Sequence, residues 1–143
     1  MIEIVERRVQ ALIDRTDPAL IGGMFSLSLE HYDAGAGEFR FFARTAPWMA
    51  NSAGALHGGM GAALADQAMS YIARAVKPEG AVTATLQLQT DYHRPLGLEE
   101  ELLVRVYTVN IGRSVMHFRC EISALGAPDK LCLSAKGIFH NKY

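Results

Sequence analysis

Apolar residues recur along this chain first at helical and then at strand spacing. Ile2, Val5, Val9 and Leu12 share one helix face, with Glu3, Glu6, Arg7 and Arg8 between them. The pattern predicts a short amphipathic helix ending near Asp14-Arg15-Thr16-Asp17-Pro18. From Met24 to Tyr32, Phe25, Leu27 and Leu29 alternate with Ser26, Ser28 and Glu30, as in a strand. Asp33 to Gly37 reads as a hairpin connection and Glu38 to Arg44 as its return strand. The loop from Thr45 to Ala50 carries Pro47 and Trp48, the only tryptophan. Between Met60 and Val76 nearly every position is apolar or small, and the run stops at Lys77-Pro78-Glu79-Gly80. A helix apolar on all sides belongs inside a core.

Four more strand-like runs follow. Val82 to Tyr92 sets Val82, Ala84, Leu86 and Leu88 against Thr83, Thr85, Gln87 and Gln89. After the turn at Arg94-Pro95-Leu96-Gly97, Glu101 to Asn110 places Leu102, Val104 and Val106 on one face. Gly112 marks a tight turn, and Ser114 to Ser123 places Met116, Phe118, Cys120 and Ile122 together. A loop with Gly126 and Pro128 leads to a last strand, where Leu131, Leu133, Ala135 and Phe139 alternate. The order is α-β-β-α-β-β-β-β. Short turns between consecutive strands argue an antiparallel sheet, and one fully apolar helix argues a sheet curled around it. An α+β domain over residues 1–143 is expected.

Composition narrows the function classes. Hydrophobic residues make up 50% and charged residues 20% of the 143 positions, as in an ordinary globular protein. The net charge is -1 and no Lys/Arg block occurs, which gives little support to nucleic-acid or anionic-membrane partners. Met1 to Arg8 reads as a helix start rather than a leader peptide, and no apolar run approaches the roughly 20 residues of a membrane span. Cys120 and Cys132 lack metal-ligand spacing and sit in apolar patterns, as reduced core thiols of a cytoplasmic protein do.

The candidate chemistry collects around the central helix. Gly58, Gly59, Gly61, Ala62, Ala63 and Ala65 crowd its first turns. Each glycine costs a helix roughly 1 kcal/mol against alanine, so something must approach this backbone closely. Unpaired N–H groups and a partial positive charge suit a helix start to a developing oxyanion, although packing alone also accounts for Gly58 and Gly59. Asp66 is the one carboxylate in the apolar run and needs either partners or a task. Eight residues separate it from Gly58, a rise of roughly 12 Å at about 1.5 Å per residue. A base must stand within about 3 Å of the reacting atoms. If both residues act, a second copy of the helix must lie beside the first, and the protein is at least a dimer.

His57 is half a turn out of phase with Asp66, so an intrachain dyad is excluded, and a capping role competes with a base role. Arg94, in Tyr92-His93-Arg94-Pro95, and Arg113, at the Gly112 turn, are candidates for a phosphate contact or for solvated loop arginines. His31, His117 and His140 fall on the less apolar strand faces. No P-loop, serine triad order or metal cluster is present in the sequence.

The string Asn51-x-x-Gly54-x-Leu56-His57-Gly58-Gly59 followed by Ala65-Asp66 resembles the PaaI-like branch of the hotdog-fold acyl-CoA thioesterases. Ala84-Thr85, Tyr92-x-x-Pro95 and Gly112-Arg113-Ser114 are similar to that family too, and the resemblance runs from about Phe25 to Phe139. It implies a long helix wrapped by a curved antiparallel sheet, with two subunits building each site. It implies that the Gly58 N–H polarises the thioester carbonyl and that Asp66 of the other subunit acts as base or nucleophile. Asn51 would help place the water or the thioester, and His57 would support the loop. Thr85 matches a hydroxyl that assists the acid, yet alternation puts it on the polar face, away from the helix. A bulge or the partner would have to resolve that conflict.

The expected activity is hydrolysis of an acyl-CoA to a free acid and CoA, without metal or redox cofactor, in a homodimer or a pair of dimers. Gly59, Arg94 and Arg113 are candidate substrate contacts. A hotdog hydratase-dehydratase and a non-enzymatic acyl-CoA-binding protein are the rivals. Trp48, Met49, Met60, Met69 and Tyr71 are candidates for an acyl pocket or ordinary core.

Overall fold

The computed structural model describes residues 2–142. Met1 and Tyr143 therefore lie outside the described residues, as do the side chains of Ile2, Glu3 and Lys142. The elements run α1 (Ile2–Asp14), β1 (Ser28–Asp33), β2 (Glu38–Arg44), α2 (Gly58–Ala75), β3 (Val82–Tyr92), β4 (Glu101–Ile111), β5 (Val115–Ala124) and β6 (Leu133–Lys142), with short 3-10 turns at Ile21–Gly23 and Pro47–Met49. All six strands form one antiparallel sheet in the order β1-β2-β4-β5-β6-β3. The inner face carries Phe39, Phe41, Val104, Val106, Phe118, Cys120, Ile122, Leu133 and Phe139. Against it α2 packs Leu64, Ala65, Ala68, Met69 and Ile72, all fully buried. Gly137 of β6 permits that approach: a Cβ there would stand 2.8 Å from the Met69 sulfur. This is the hotdog fold, a curved antiparallel sheet wrapped around one long helix.

The first strand is shorter than its alternation implies. Ser26 has a φ of +50°, in the left-handed region, so the extended chain starts only at Ser28, and Met24 to Leu27 are not strand.

The two edges of the sheet differ. At β1, α1 closes the edge with two side chains one helical turn apart. Glu6 Oε1 accepts the Tyr32 N–H at 2.9 Å, and Gln10 Oε1 accepts the Leu29 N–H at 3.2 Å. Arg8 of the same helix donates to the Lys77 carbonyl just beyond α2. At β3 no described element covers the outer edge, and Val82 and Leu86 are 65% and 58% exposed. An uncovered edge strand is a template for pairing with another chain.

Strand β3 also changes phase. Its register against β6 slips between Thr85 and Gln87: Thr85 pairs with Phe139, and Gln87 with Ile138. Leu86 is the extra residue of a bulge, which reverses the faces. Thr83 and Thr85 face α2 before it, and Leu88, Thr90 and Tyr92 face α2 after it. The expected inward set of Val82, Ala84 and Leu86 is thereby corrected, since all three are exposed. Of the alternating apolar residues, Leu88 alone keeps its expected side, because it follows the bulge.

Candidate active site

The segment before α2 is held by its own backbone and one side chain. Asn51 Oδ1 accepts the N–H groups of Ala53 at 2.9 Å and Ala55 at 3.0 Å. The Asn51 N–H donates to the Ala55 carbonyl at 2.7 Å, and Gly54, at φ +82°, takes the left-handed position that closes the turn. Leu56 N–H reaches the Leu96 carbonyl and His57 N–H the Met49 carbonyl, so the turn is tied to its neighbours on both sides. With its oxygen occupied by two donors, Asn51 has only its Nδ2 group left to face a ligand.

His57 is the N-cap of α2, and its Nδ1 accepts the Gly59 N–H at 2.9 Å. A neutral imidazole that accepts at Nδ1 carries its proton on Nε2. The N–H groups of Met60 and Gly61 both reach the His57 carbonyl. Within the first turn this leaves the Gly58 N–H without a partner among the described residues. Gly58 opens onto a cleft of about 410 Å³, which it lines with Asn51, His57, Tyr92, His93 and Arg94. The Arg94 Nη1 donates to the Leu131 carbonyl at 2.9 Å, which anchors that guanidinium at the cleft wall.

Asp66 stands elsewhere. It does not line the cleft, and it is half-buried rather than enclosed in the core. The expectation of a helix without a solvent face is corrected accordingly. Gly59, Ala62, Ala63, Asp66, Gln67, Ser70 and Arg74 form a stripe along α2 that this chain leaves partly or fully open. Thr85 Oγ1 donates to Asp66 Oδ1 at 2.8 Å, the only hydrogen bond of that carboxylate among the described residues. The structure thus brings Asp66 and Thr85 together, and separately brings Asn51, His57, Gly58 and Arg94 together.

Gly59 touches the cleft residues through its bond to His57 rather than by lining the cleft itself. Arg113 lies in the exposed β4–β5 hairpin, where its carbonyl accepts Lys77 Nζ at 3.1 Å, and it does not line the cleft. Of the acyl-pocket candidates, Met49, Met69 and Tyr71 are buried core, Met60 is half-buried, and Trp48 is 60% exposed. Among the described residues no group of His, Cys, Asp and Glu could hold a metal ion. No described helix is long and apolar enough to cross a membrane.

One site residue was not anticipated. Tyr92 donates its hydroxyl to the Gly58 carbonyl at 2.6 Å, and its ring lies 3.4 Å from where a Gly58 Cβ would be. In the sequence it reads as the end of a strand and as the first residue of the family-like Tyr92-x-x-Pro95, with no role attached to it.

The model of the thioesterase superfamily matches residues 53–127. Comparison with curated proteins finds no match. Among solved structures, the PaaI protein of the E. coli phenylacetic acid degradation operon superposes with a TM-score of 0.81 at 18% identity, over 99% of this chain and 96% of its own. A phenylacetic acid degradation-related protein of Ralstonia eutropha JMP134 gives 0.79 at 23% identity, over 93% and 98%. The smu.793 protein of Streptococcus mutans UA159, solved with acetyl CoA bound, gives 0.69 at 18% identity, over 81% and 88%.

Proposed function

Since the chain belongs to the thioesterase superfamily, we propose that it is a PaaI-like hotdog hydrolase, which cleaves acyl-CoA thioesters in a site shared by two protomers. The observation that carries this reading is the unpartnered Gly58 N–H at the head of an open cleft, with a Thr85-braced carboxylate on the same helix but beyond its reach. The acetyl CoA held by the Streptococcus mutans relative supports a CoA ester as substrate.

The thioester carbonyl oxygen accepts the Gly58 N–H, and the Asn51 Nδ2 group adds a second donor. Asp66 of the partner protomer, its Oδ1 held by Thr85, takes a proton from water through Oδ2. The hydroxide so formed adds to the carbonyl carbon, and the carbonyl electron pair moves onto the oxygen as an oxyanion. A fixed N–H aimed at that oxygen is worth about 10²–10³ in rate. As the carbonyl re-forms, the C–S bond breaks, CoA leaves as its thiolate and takes up the proton that Asp66 received from water, and the free acid remains. No residue of this scheme calls for a metal or a redox cofactor.

Assembly as a dimer, alone or as a pair of dimers, is supported by two features already described. The stripe from Gly59 to Arg74 is the side of α2 left open, and β3 is the sheet edge left open while α1 closes the other. A twofold operator serves both at once and sets Asp66 of each chain toward Gly58 of its partner. Arg94, at the cleft wall, is proposed to meet the phosphates of CoA, and Arg113 in the β4–β5 hairpin is a second candidate contact. Two free, buried thiols suit the reducing cytoplasm.

The test is turnover of phenylacetyl-, hydroxybenzoyl-, short-chain and long-chain acyl-CoAs, with crotonyl-CoA hydration as the contrast. At least one thioester is expected to be hydrolysed, and Asp66→Asn is expected to lower kcat by about a hundredfold or more, the scale of a lost general base. Hydration without hydrolysis, or an Asp66→Asn enzyme as fast as wild type, would refute the proposal.

A further inference from the structure

We infer that Tyr92 is the positioning residue of the oxyanion donor: it fixes the first turn of α2 so that the Gly58 N–H keeps one direction into the cleft. The inference rests on the thioesterase reading and deepens it.

The need for such a residue follows from the sequence of the turn. Gly58-Gly59-Met60-Gly61 places three glycines in the first four positions of α2. Each is about 1 kcal/mol less favourable in a helix than alanine. The first turn also lacks the carbonyl partners that hold later turns. Left to itself, such a turn frays, and a frayed turn averages the direction of the one N–H that the reaction uses.

Two groups from outside the helix hold it. His57 Nδ1 accepts the Gly59 N–H at 2.9 Å, and the Tyr92 hydroxyl donates to the Gly58 carbonyl at 2.6 Å. That N–H and that carbonyl belong to one peptide group, so the group is gripped at both ends. Gripping it sets the orientation of the Gly58 Cα and thereby of the N–H on its other side. The aromatic ring lies 3.4 to 3.5 Å from the position of a Gly58 Cβ, ordinary contact distance, and covers that side of the turn. Tyr92 reaches this spot because of the Leu86 bulge. Without the extra residue, the inward side of β3 would be its odd-numbered residues, and Tyr92 would point away from α2.

The variant that isolates the hydroxyl is Tyr92→Phe, which keeps the ring and its packing. Steady-state kinetics on the best acyl-CoA should show kcat lower by about tenfold with KM within about twofold, short of the hundredfold or more that follows deletion of an oxyanion donor. In the ligand-free protein, hydrogen exchange at the amides of Gly59, Met60 and Gly61, which are bonded to His57, should quicken, while exchange in β4 and β5 stays as in wild type. A wild-type kcat with unchanged exchange would overturn the inference, and so would a loss carried by KM, which would make Tyr92 a substrate contact. If wild type itself hydrolyses no thioester, the failure is that of the functional reading. The exchange measurement still decides whether Tyr92 holds the turn.

Discussion

Thr85 Oγ1 lies 2.8 Å from Asp66 Oδ1 on the inner side of β3, immediately before the one extra residue of that strand, Leu86. The bulge sets the odd-numbered residues before it against α2 and the even-numbered ones after it. The hydroxyl that braces the acid and the hydroxyl that braces the helix start thus come from one strand. Their sequence numbers have opposite parity, and a regular strand would face only one of them inward.

The bond to Thr85 fixes one carboxylate oxygen and leaves the other for water. Thr85→Val keeps the shape and removes the donor, and it is expected to lower kcat by about tenfold, roughly 1.4 kcal/mol of lost orientation. Thr85→Ser retains the donor and should stay within about threefold of wild type. A Thr85→Val enzyme as fast as Thr85→Ser would show that the bond has no part in turnover.

Asn51 and Asp66 are expected to differ in how their loss is felt. Asn51 Oδ1 holds two backbone N–H groups of the loop that leads into α2, so Asn51→Ala removes structure as well as a candidate donor. Each unmade bond to a loop N–H costs about 1 kcal/mol. Asn51→Ala should lower the Tm by several degrees and kcat by less than Asp66→Asn does. Thermal melts and kcat on the same preparations check both halves. An Asn51→Ala enzyme that melts like wild type but is slower than Asp66→Asn would reverse the ranking of the two residues.

Much of this fold was legible because α2, β2, β4 and β5 follow simple periods. Leu102, Val104 and Val106, and Met116, Phe118, Cys120 and Ile122, face the core as their alternation requires. Periodicity fails where one residue changes the count. No composition signal distinguishes Leu86 from its apolar neighbours, so Val82, Ala84 and Leu86 read as core while they are exposed. Ser26 stops β1 early by a backbone angle that the alternation of Phe25, Leu27 and Leu29 does not report. Asp66 reads as buried because its neighbours are apolar, yet one chain covers only part of α2. The polar-face objection to Thr85 was sound for a regular strand, and the bulge answers it. Tyr92 joins the site through its hydroxyl and a backbone carbonyl, a contact with no sequence signature.

Cys120 makes stability depend on alkaline pH. Burial pushes its thiol above the ordinary value of 9.0, and Glu121 adds to the shift. In the unfolded chain the thiol ionises near its ordinary value, whereas in the folded chain it stays protonated. Above that pH the unfolded state holds fewer protons, so stability falls as pH rises. The contribution is fully present below about pH 8.5 and is lost above it, at up to about 1.4 kcal/mol per pH unit. Cys120→Ala should therefore be less stable than wild type near neutrality but lose stability more slowly from about pH 9 to about pH 10.5. Urea midpoints across that range give the two slopes, and parallel slopes would exclude the thiol as their source.

The division of the site between protomers can be tested without a structure of the assembly. Gly58 and Asp66 lie eight residues apart on one straight helix, roughly 12 Å at about 1.5 Å per residue. A thioester carbonyl at the first cannot meet a base at the second. Gly58→Pro removes the N–H, and the first helical position tolerates proline because its N–H has no partner within the helix. Asp66→Asn removes the proposed base. Each variant alone is expected to be nearly inactive. In a heterodimer of the two, one site carries both defects and the other carries neither, so about half the activity of a wild-type dimer should return. Native mass spectrometry on the mixture follows subunit exchange while thioester hydrolysis is measured. Exchange that goes to completion with no gain in activity would place both residues in separate roles, and turnover by a species that stays monomeric would dispose of the shared site.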